Sequence, residues 1–288
     1  MIWVIGAKGM LGSAVCAALK SKAIPHTGTG SEVDITQKDA LFRFIKSNPG
    51  IGWIVNCAAY TAVEKAEDEP EKCRAINALG AENLAGVAME EGAGFVHIST
   101  DYVFDGTLNR PYREDDAPGP LGVYGKSKLE SEERVLLKNK SAYILRTAWL
   151  YGEGGSNFVR TMLRLANEQK KIRVVADQKG CPTWTRDLAM VIAACIEKNG
   201  ALQPGIYHYT HEGVCSWFEF AQKIFEYAAE LNLINGIPCL EPCATSEYPS
   251  RVRRPACTPL DKQKIKTALN IDIPRWEGRL RLFLEKQK

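Results

Sequence analysis

Tyr124-Gly125-Lys126-Ser127-Lys128 places a phenol and an amine four positions apart. On a helix those positions share one face, so an ammonium at Lys128 sits near the phenol of Tyr124 and favours its ionised form. A free tyrosine titrates at about 10, too high for easy proton exchange at neutral pH, and a cationic neighbour makes it useful as a proton donor to a carbonyl. The same spacing also fits an ordinary exposed helix face. Position in the chain favours the chemical reading. The pair follows a strand ending in Ser99-Thr100-Asp101, and ligands in open α/β sheets bind at that carboxyl edge. Thr100 is placed there to bond the same carbonyl oxygen as Tyr124.

A second constellation opens the chain, where Ile2-Trp3-Val4-Ile5 flows into Gly6-Ala7-Lys8-Gly9-Met10-Leu11-Gly12. Gly6, Gly9 and Gly12 let the backbone turn tightly, approach a pyrophosphate without an intervening Cβ, and pack the next helix closely on the strand. A glycine triplet alone is weak evidence. Here a strand precedes it and an amphipathic helix follows, with Leu11, Val15, Ala18 and Leu19 on one face, which favours cofactor binding over a plain turn. Together the two constellations imply a nicotinamide-dependent oxidoreductase. NADPH and NADH both stay open. An acid ending the second strand would accept the adenosine ribose hydroxyls and an Arg would pair a 2′-phosphate, whereas His26-Thr27-Gly28-Thr29-Gly30-Ser31 offers neither.

These residues need a sheet with crossover helices to position them. Short β-branched runs at 2–5, 53–55, 95–98 and 142–145 alternate with helical patterns at 10–20, 37–48, 70–91 and 125–138, the rhythm of a doubly wound parallel sheet, the Rossmann arrangement. Beyond Leu150 the pattern loosens into a loop at 152–155 and a helix over 157–168. Residues 172–199 add a short strand, the turn Lys179-Gly180-Cys181-Pro182 and an apolar helix. We expect a dinucleotide-binding domain of residues 1–150 plus about 172–199, and a smaller mixed α/β substrate lobe of about 151–171 plus 200–288. Ser216-Trp217-Phe218-Glu219 reads as a capping box opening a helix in that lobe.

Composition narrows the classes further. The 288 residues are 45% hydrophobic and 25% charged, ordinary for a globular chain, and a net charge of +3 is too mild to imply a nucleic-acid partner. Nine cysteines are scattered and odd in number, which favours reduced thiols and a cytoplasmic setting; Cys239 and Cys243 form half of a metal clip with no second pair, so no metal is expected. The apolar start is too short for a signal peptide, and no run of about 20 apolar residues is present to span a membrane.

Asn56-Cys57-Ala58-Ala59-Tyr60-Thr61-Ala62-Val63, Ser99-Thr100-Asp101-Tyr102-Val103-Phe104-Asp105-Gly106, Tyr124 to Lys128, and Arg146-Thr147-Ala148-Trp149-Leu150-Tyr151-Gly152 closely resemble the dTDP-4-dehydrorhamnose reductases, members of the extended short-chain dehydrogenase/reductases. Asp177-Gln178, Cys181-Pro182-Thr183, the helix start at Ser216 and Arg254-Pro255 continue the resemblance through the second lobe. It implies reduction of a 4-keto group on a nucleotide-linked 6-deoxyhexose, with Tyr124 as proton donor. It further implies that Lys128 bonds the nicotinamide ribose and lowers the phenol's pKa, and that Thr100 replaces a serine. Asp34 and Ile35 would lie beside the adenine, and Cys57, Ala58, Ala59, Tyr60 and Thr61 would approach the cofactor. Val63, Asp101, Tyr102 and Trp149 would meet the sugar, with Arg254 on the diphosphate.

Each assignment has a plainer counterpart: Asp34 a helix cap, Asp101 a turn residue, Trp149 a core side chain, and Arg251 or Arg253 in place of Arg254. Ala14 stands where some relatives carry a Glu that helps bind magnesium at a dimer interface, so a monomer or weak homodimer is expected. Two rival functions remain: another nucleotide-sugar reductase or epimerase, and a non-catalytic subunit like the regulatory subunit of methionine adenosyltransferase. Intact Thr100, Tyr124 and Lys128 favour an enzyme.

Overall fold

The computed structural model describes residues 1–168, 170–198 and 202–287. Its first half runs β1 (Ile2–Ile5), α1 (Met10–Ser21), β2 (His26–Thr29), α2 (Lys38–Ser47), β3 (Trp53–Asn56), α3 (Val63–Ala66), α4 (Pro70–Arg74), α5 (Gly80–Glu90), β4 (Gly94–Thr100), α6 (Val123–Lys138) and β5 (Tyr143–Thr147). The second half adds β6 (Leu150–Tyr151), α7 (Phe158–Glu168), β7 (Lys171–Val175), β8 (Lys179–Gly180), β9 (Thr183–Trp184), α8 (Thr185–Glu197), β10 (Gly205–His208), β11 (Cys215–Ser216), α9 (Trp217–Glu230), β12 (Cys239–Cys243), α10 (Gln263–Leu269) and α11 (Trp276–Glu285).

Six parallel strands form the main sheet in the order β10-β5-β4-β3-β1-β2. Central strands of such a sheet are covered on both faces, and β1 shows why its sequence is a continuous apolar run. Ile2 and Val4 pack with α1 and α8 on one side, while Trp3 and Ile5 pack with α2 and α5 on the other. The strand order reverses between β1 and β3, so the chain opens a crevice at their carboxyl ends.

The segment 70–91, expected as one helix, is continuous but carries a π-turn at Ala75–Leu79 between α4 and α5. Such turns widen a helix locally, and this one brings Asn77 inward. Its Oδ1 accepts the Tyr60 amide at 2.7 Å and its amide nitrogen donates to Ser127 Oγ at 2.9 Å, tying the loop after β3 to α6.

The smaller lobe has its own apolar core, built from Tyr151, Met162, Ile172, Phe220, Trp276 and Phe283 among others. Its α9 opens on the expected capping box: Glu219 donates its amide to Ser216 Oγ at 3.1 Å, and the Ser216 amide donates to the Glu219 carboxylate at 2.7 Å. α8 packs against α1 and the core of the main sheet. Part of the segment after 200 joins it too, because β10 pairs with β5 in the main sheet and Ile265, Leu269 and Ile273 join the core beneath it. Cys239 and Cys243 lie along β12, one exposed and one buried, and all nine thiols are free. Among the described residues no helix is long and apolar enough to cross a membrane.

Candidate active site

The glycine loop is fixed by contacts that exclude side chains. Gly6 has φ +76°, and a Cβ there would stand 2.8 Å from the Ala58 amide nitrogen; a Cβ at Gly12 would reach 2.1 Å from the Gly6 carbonyl oxygen. α1 begins at Met10 with no side-chain cap on its first amides. Free amides at a helix N-terminus over a close-packed glycine turn fit a pyrophosphate. The loop borders a cavity of about 510 Å³. Gly9, Met10 and Leu11 form one wall, Cys57, Ala58, Ala59 and Thr61 another, and Thr100, Tyr124, Lys128 and Trp149 the far side.

Two of the far-wall residues reach the cavity from α6, whose first-turn amide at Val123 donates to Glu67 Oε1 at 2.8 Å. The helix is held by a buried ion pair. Ser99 and Arg146 are register partners on β4 and β5 and point to the same face, where Glu132 meets both. Arg146 donates twice to Glu132, at 2.9 and 2.6 Å, and Ser99 Oγ donates to it at 2.5 Å. Both charged side chains are about 97–98% buried, so the bidentate geometry is what makes their burial tolerable.

Thr100 Oγ1 accepts the Tyr102 amide at 3.2 Å and donates to Asp101 Oδ1 at 3.1 Å. Behind it the buried Asp101 also accepts Thr258 Oγ1 at 2.5 Å, and burial pushes its carboxyl up to about 6 despite those bonds. Burial likewise drives the Tyr124 phenol well above its ordinary value, with the Thr100 hydroxyl pulling it back. The phenol therefore carries its proton at neutral pH. Burial lowers Lys128 to about 8, offset in part by Glu132. Its Nζ donates to the Ile98 carbonyl at 2.7 Å and stands 3.2 Å from His97 Nε2. In this structure Lys128 bonds the sheet and not the phenol.

Not every expected residue lines the cavity. Asp34 accepts the Thr36 amide and hydroxyl at 2.9 and 2.8 Å, a local turn and not the helix cap of its plainer reading, because α2 starts after Gln37 with no side-chain cap. Ile35 is buried against Gly80. Tyr60 turns its hydroxyl to Glu69 at 2.9 Å. Asp101 sits behind Thr100, and Tyr102 meets the Tyr124 ring edge-on at 5.9 Å. Arg254 lines a neighbouring groove of about 400 Å³ with Phe158, Trp217 and Tyr248. There it donates to Glu64 Oε1, the residue after Val63, at 2.8 Å. Trp149 joins the two spaces: it lines the first cavity and stacks on Trp217 of the second, ring centroids 3.5 Å apart.

Sequence reasoning missed the groups at the end of β2. Glu32, one residue past Ser31, accepts the Gly30 amide at 2.7 Å and pairs with Lys8 of the glycine loop at 3.0 Å. The Gly30 amide, ahead of Lys8, holds its carboxyl down to about 2. An acid and a cation thus stand together at the carboxyl end of β2, beside the glycine loop. Adjacency of Lys8 to Gly9 was the available signal.

The parallel sheet, the glycine turn at its switch point and the Tyr124–Lys128 helix define a nicotinamide-dependent oxidoreductase of the short-chain dehydrogenase/reductase type. Residues 1–288 match the family model of the RmlD substrate binding domain. A dTDP-4-dehydrorhamnose reductase of Aggregatibacter actinomycetemcomitans is 42% identical over 255 residues, covering 87% of this chain and 86% of the relative. The spore coat polysaccharide biosynthesis protein SpsK of Bacillus subtilis (strain 168) is 40% identical, covering 99% and 97%. The crystal structure of the dTDP-4-dehydrorhamnose reductase of Bacillus anthracis str. Ames in complex with NADP is similar at a TM-score of 0.92 and 36% identity, over 99% of this chain and 98% of that one. The chain belongs to the dTDP-4-dehydrorhamnose reductase family.

Proposed function

We propose that this protein reduces the 4-keto group of dTDP-4-dehydro-L-rhamnose to give dTDP-L-rhamnose, with Tyr124 as the proton donor. The observation that carries the reading is the meeting of Thr100, Tyr124 and Lys128 on one cavity with the glycine loop. Gly6, Gly9, Gly12 and the free amides of α1 would hold the pyrophosphate of NADPH or NADH, and Lys128 the nicotinamide ribose. When bound, the nicotinamide supplies the hydride that adds to C4 of the sugar.

Tyr124 gives its phenolic proton to the C4 oxygen as negative charge develops there, and Thr100 turns its hydroxyl onto the same oxygen. The phenolate left behind is stabilised by the Lys128 ammonium and regains a proton from solvent. Asp101 and Thr258 fix Thr100 from behind. The groove beside Trp217, with aromatic walls and Arg254 at its edge, suits the thymine and the diphosphate. Its fully free thiols support a cytoplasmic setting, and Ala14 supports a monomer or weak homodimer.

The direct test is loss of NADPH absorbance, and separately of NADH absorbance, with freshly generated dTDP-4-keto-L-rhamnose. Oxidation of neither cofactor, with cofactor still bound, would overturn the assignment.

A further inference from the structure

A row of polar groups lies buried behind the cavity, and its protons can be assigned one by one. Asn56 and His97 are register partners on β3 and β4 and face the same side. Asn56 Oδ1 accepts the Ala58 amide at 3.0 Å, which turns the Asn56 amide nitrogen toward His97 Nδ1 at 3.1 Å. That nitrogen only donates, so Nδ1 accepts and the single proton of the neutral ring sits on Nε2. The Nε2–H donates to Ser131 Oγ at 2.9 Å, and the Ser131 hydroxyl donates to the Lys128 carbonyl at 2.6 Å.

Lys128 Nζ stands 3.2 Å from that same Nε2 and gives one hydrogen to Ile98 O. An Nε2 that carries hydrogen has no lone pair in the ring plane to offer a second. We propose that His97 is a positioning residue: locked in its Nε2–H form by Asn56, it denies Lys128 an acceptor inside the sheet. The remaining ammonium hydrogens are thereby directed to the cleft, where a cofactor ribose and Tyr124 lie. This rests on the reading of Lys128 as the ribose ligand. Burial and the Lys128 charge hold the imidazole far below its ordinary pKa, in keeping with a neutral ring. The other titratable groups packed nearby have partners of their own: Glu132 is spent on Arg146 and Ser99, and the Cys73 thiol lies 3.3 Å from Ser127 Oγ.

Nitrogen-15 NMR of the imidazole rings tests the assignment without turnover, with His97→Met identifying the resonances among the four histidines. A proton on Nε2 alone, in the free protein and with NADPH, is expected. A proton on Nδ1, or on both nitrogens, would overturn the proposal. Asn56→Asp probes the consequence, because its carboxylate still accepts the Ala58 amide but draws the ring proton to Nδ1 and frees Nε2 to capture Lys128. NADPH affinity should fall about tenfold, the worth of one charge-assisted hydrogen bond.

The added negative charge is controlled by repeating Asn56→Asp in the His97→Met protein, where little further loss is expected. Equal losses in both backgrounds would refute the positioning role. Failure of the underlying reading is separable: NADPH affinity unchanged in Lys128→Ala would remove the ribose role while leaving the ring assignment to the NMR result.

Discussion

Trp149 and Trp217 stack at 3.5 Å with their planes only 7° apart, one at the end of the main sheet and the other at the start of α9 in the smaller lobe. Trp149 adopts φ +48°, a left-handed conformation that costs a bulky residue about 1–3 kcal/mol. Gly180 makes room for the arrangement, since a Cβ there would sit 2.5 Å from the indole. The strain is compensated by a ring that belongs to both spaces.

Trp217→Ala should therefore weaken the nucleotide sugar and spare the cofactor. A stacked pair is worth about 0.5–1.5 kcal/mol, so dTDP affinity by calorimetry should drop roughly threefold to tenfold. NADPH affinity should remain within about twofold, less than 0.5 kcal/mol. A parallel loss of both would show that the stack merely holds the lobes together.

Tyr124→Phe removes one oxygen from a ring already packed beside Tyr102. Loss of a positioned proton donor costs about 10²–10⁴ in rate, and that fall should lie in kcat, with NADPH binding preserved. Turnover close to wild type would show that the proton comes from elsewhere.

Lys128 links stability to pH in a defined direction. Its pKa falls from 10.5 to about 8 on folding, so between those values the unfolded chain holds a proton that the folded chain has released. Stability accordingly rises with pH across that window, and the burial penalty is fully present below it. Lys128→Met should raise the urea midpoint at neutral pH by an amount equivalent to at most about 3 kcal/mol, while abolishing tight NADPH binding. In the unchanged protein NADPH affinity should decline as pH climbs past about 8. A lower midpoint in the Met variant would contradict the burial argument.

Glu132→Gln leaves Arg146 buried opposite a neutral amide. Breaking a buried pair from one side costs about 3–5 kcal/mol, visible as a lowered urea midpoint. Because α6 also carries Tyr124, kcat should fall further than a surface variant of equal stability would allow.

Lys8 and Glu32 predict how the two cofactors are distinguished. Lys8→Ala should weaken NADPH about tenfold relative to NADH, the loss of one charge-assisted contact to the 2′-phosphate. Glu32→Gln should shift the preference the other way. Fluorescence titration with each nucleotide decides, and equal effects on both would remove the pair from the adenosine site.

The parts of this site legible in sequence are those whose partners lie close in the chain. Gly6, Gly9 and Gly12 act on one turn, Tyr124 and Lys128 share one helical face, and Ser216 with Glu219 close one cap. Hidden from sequence were contacts made across strands: Asn56 to His97, and Ser99 with Arg146 to Glu132. Each depends on sheet register, which no local pattern states. The π-turn that delivers Asn77 was also invisible, because the apolar spacing of 70–91 tolerates one extra residue. Asp34 shows the converse, an acid whose local turn chemistry accounts for its contacts here.

The sixth strand has a bearing on how the protein is made. β5 is flanked by β4 on one side and β10 on the other, and Tyr143 must wait for Gly205, with β6 to α8 synthesised between them. At about 5–20 residues per second, that edge emerges from the ribosome several seconds before its partner. An apolar strand with one unpaired side is a template for other chains. The nascent polypeptide thus passes through an interval of aggregation risk that the finished molecule no longer carries, and a chain cut short before residue 205 would never leave it.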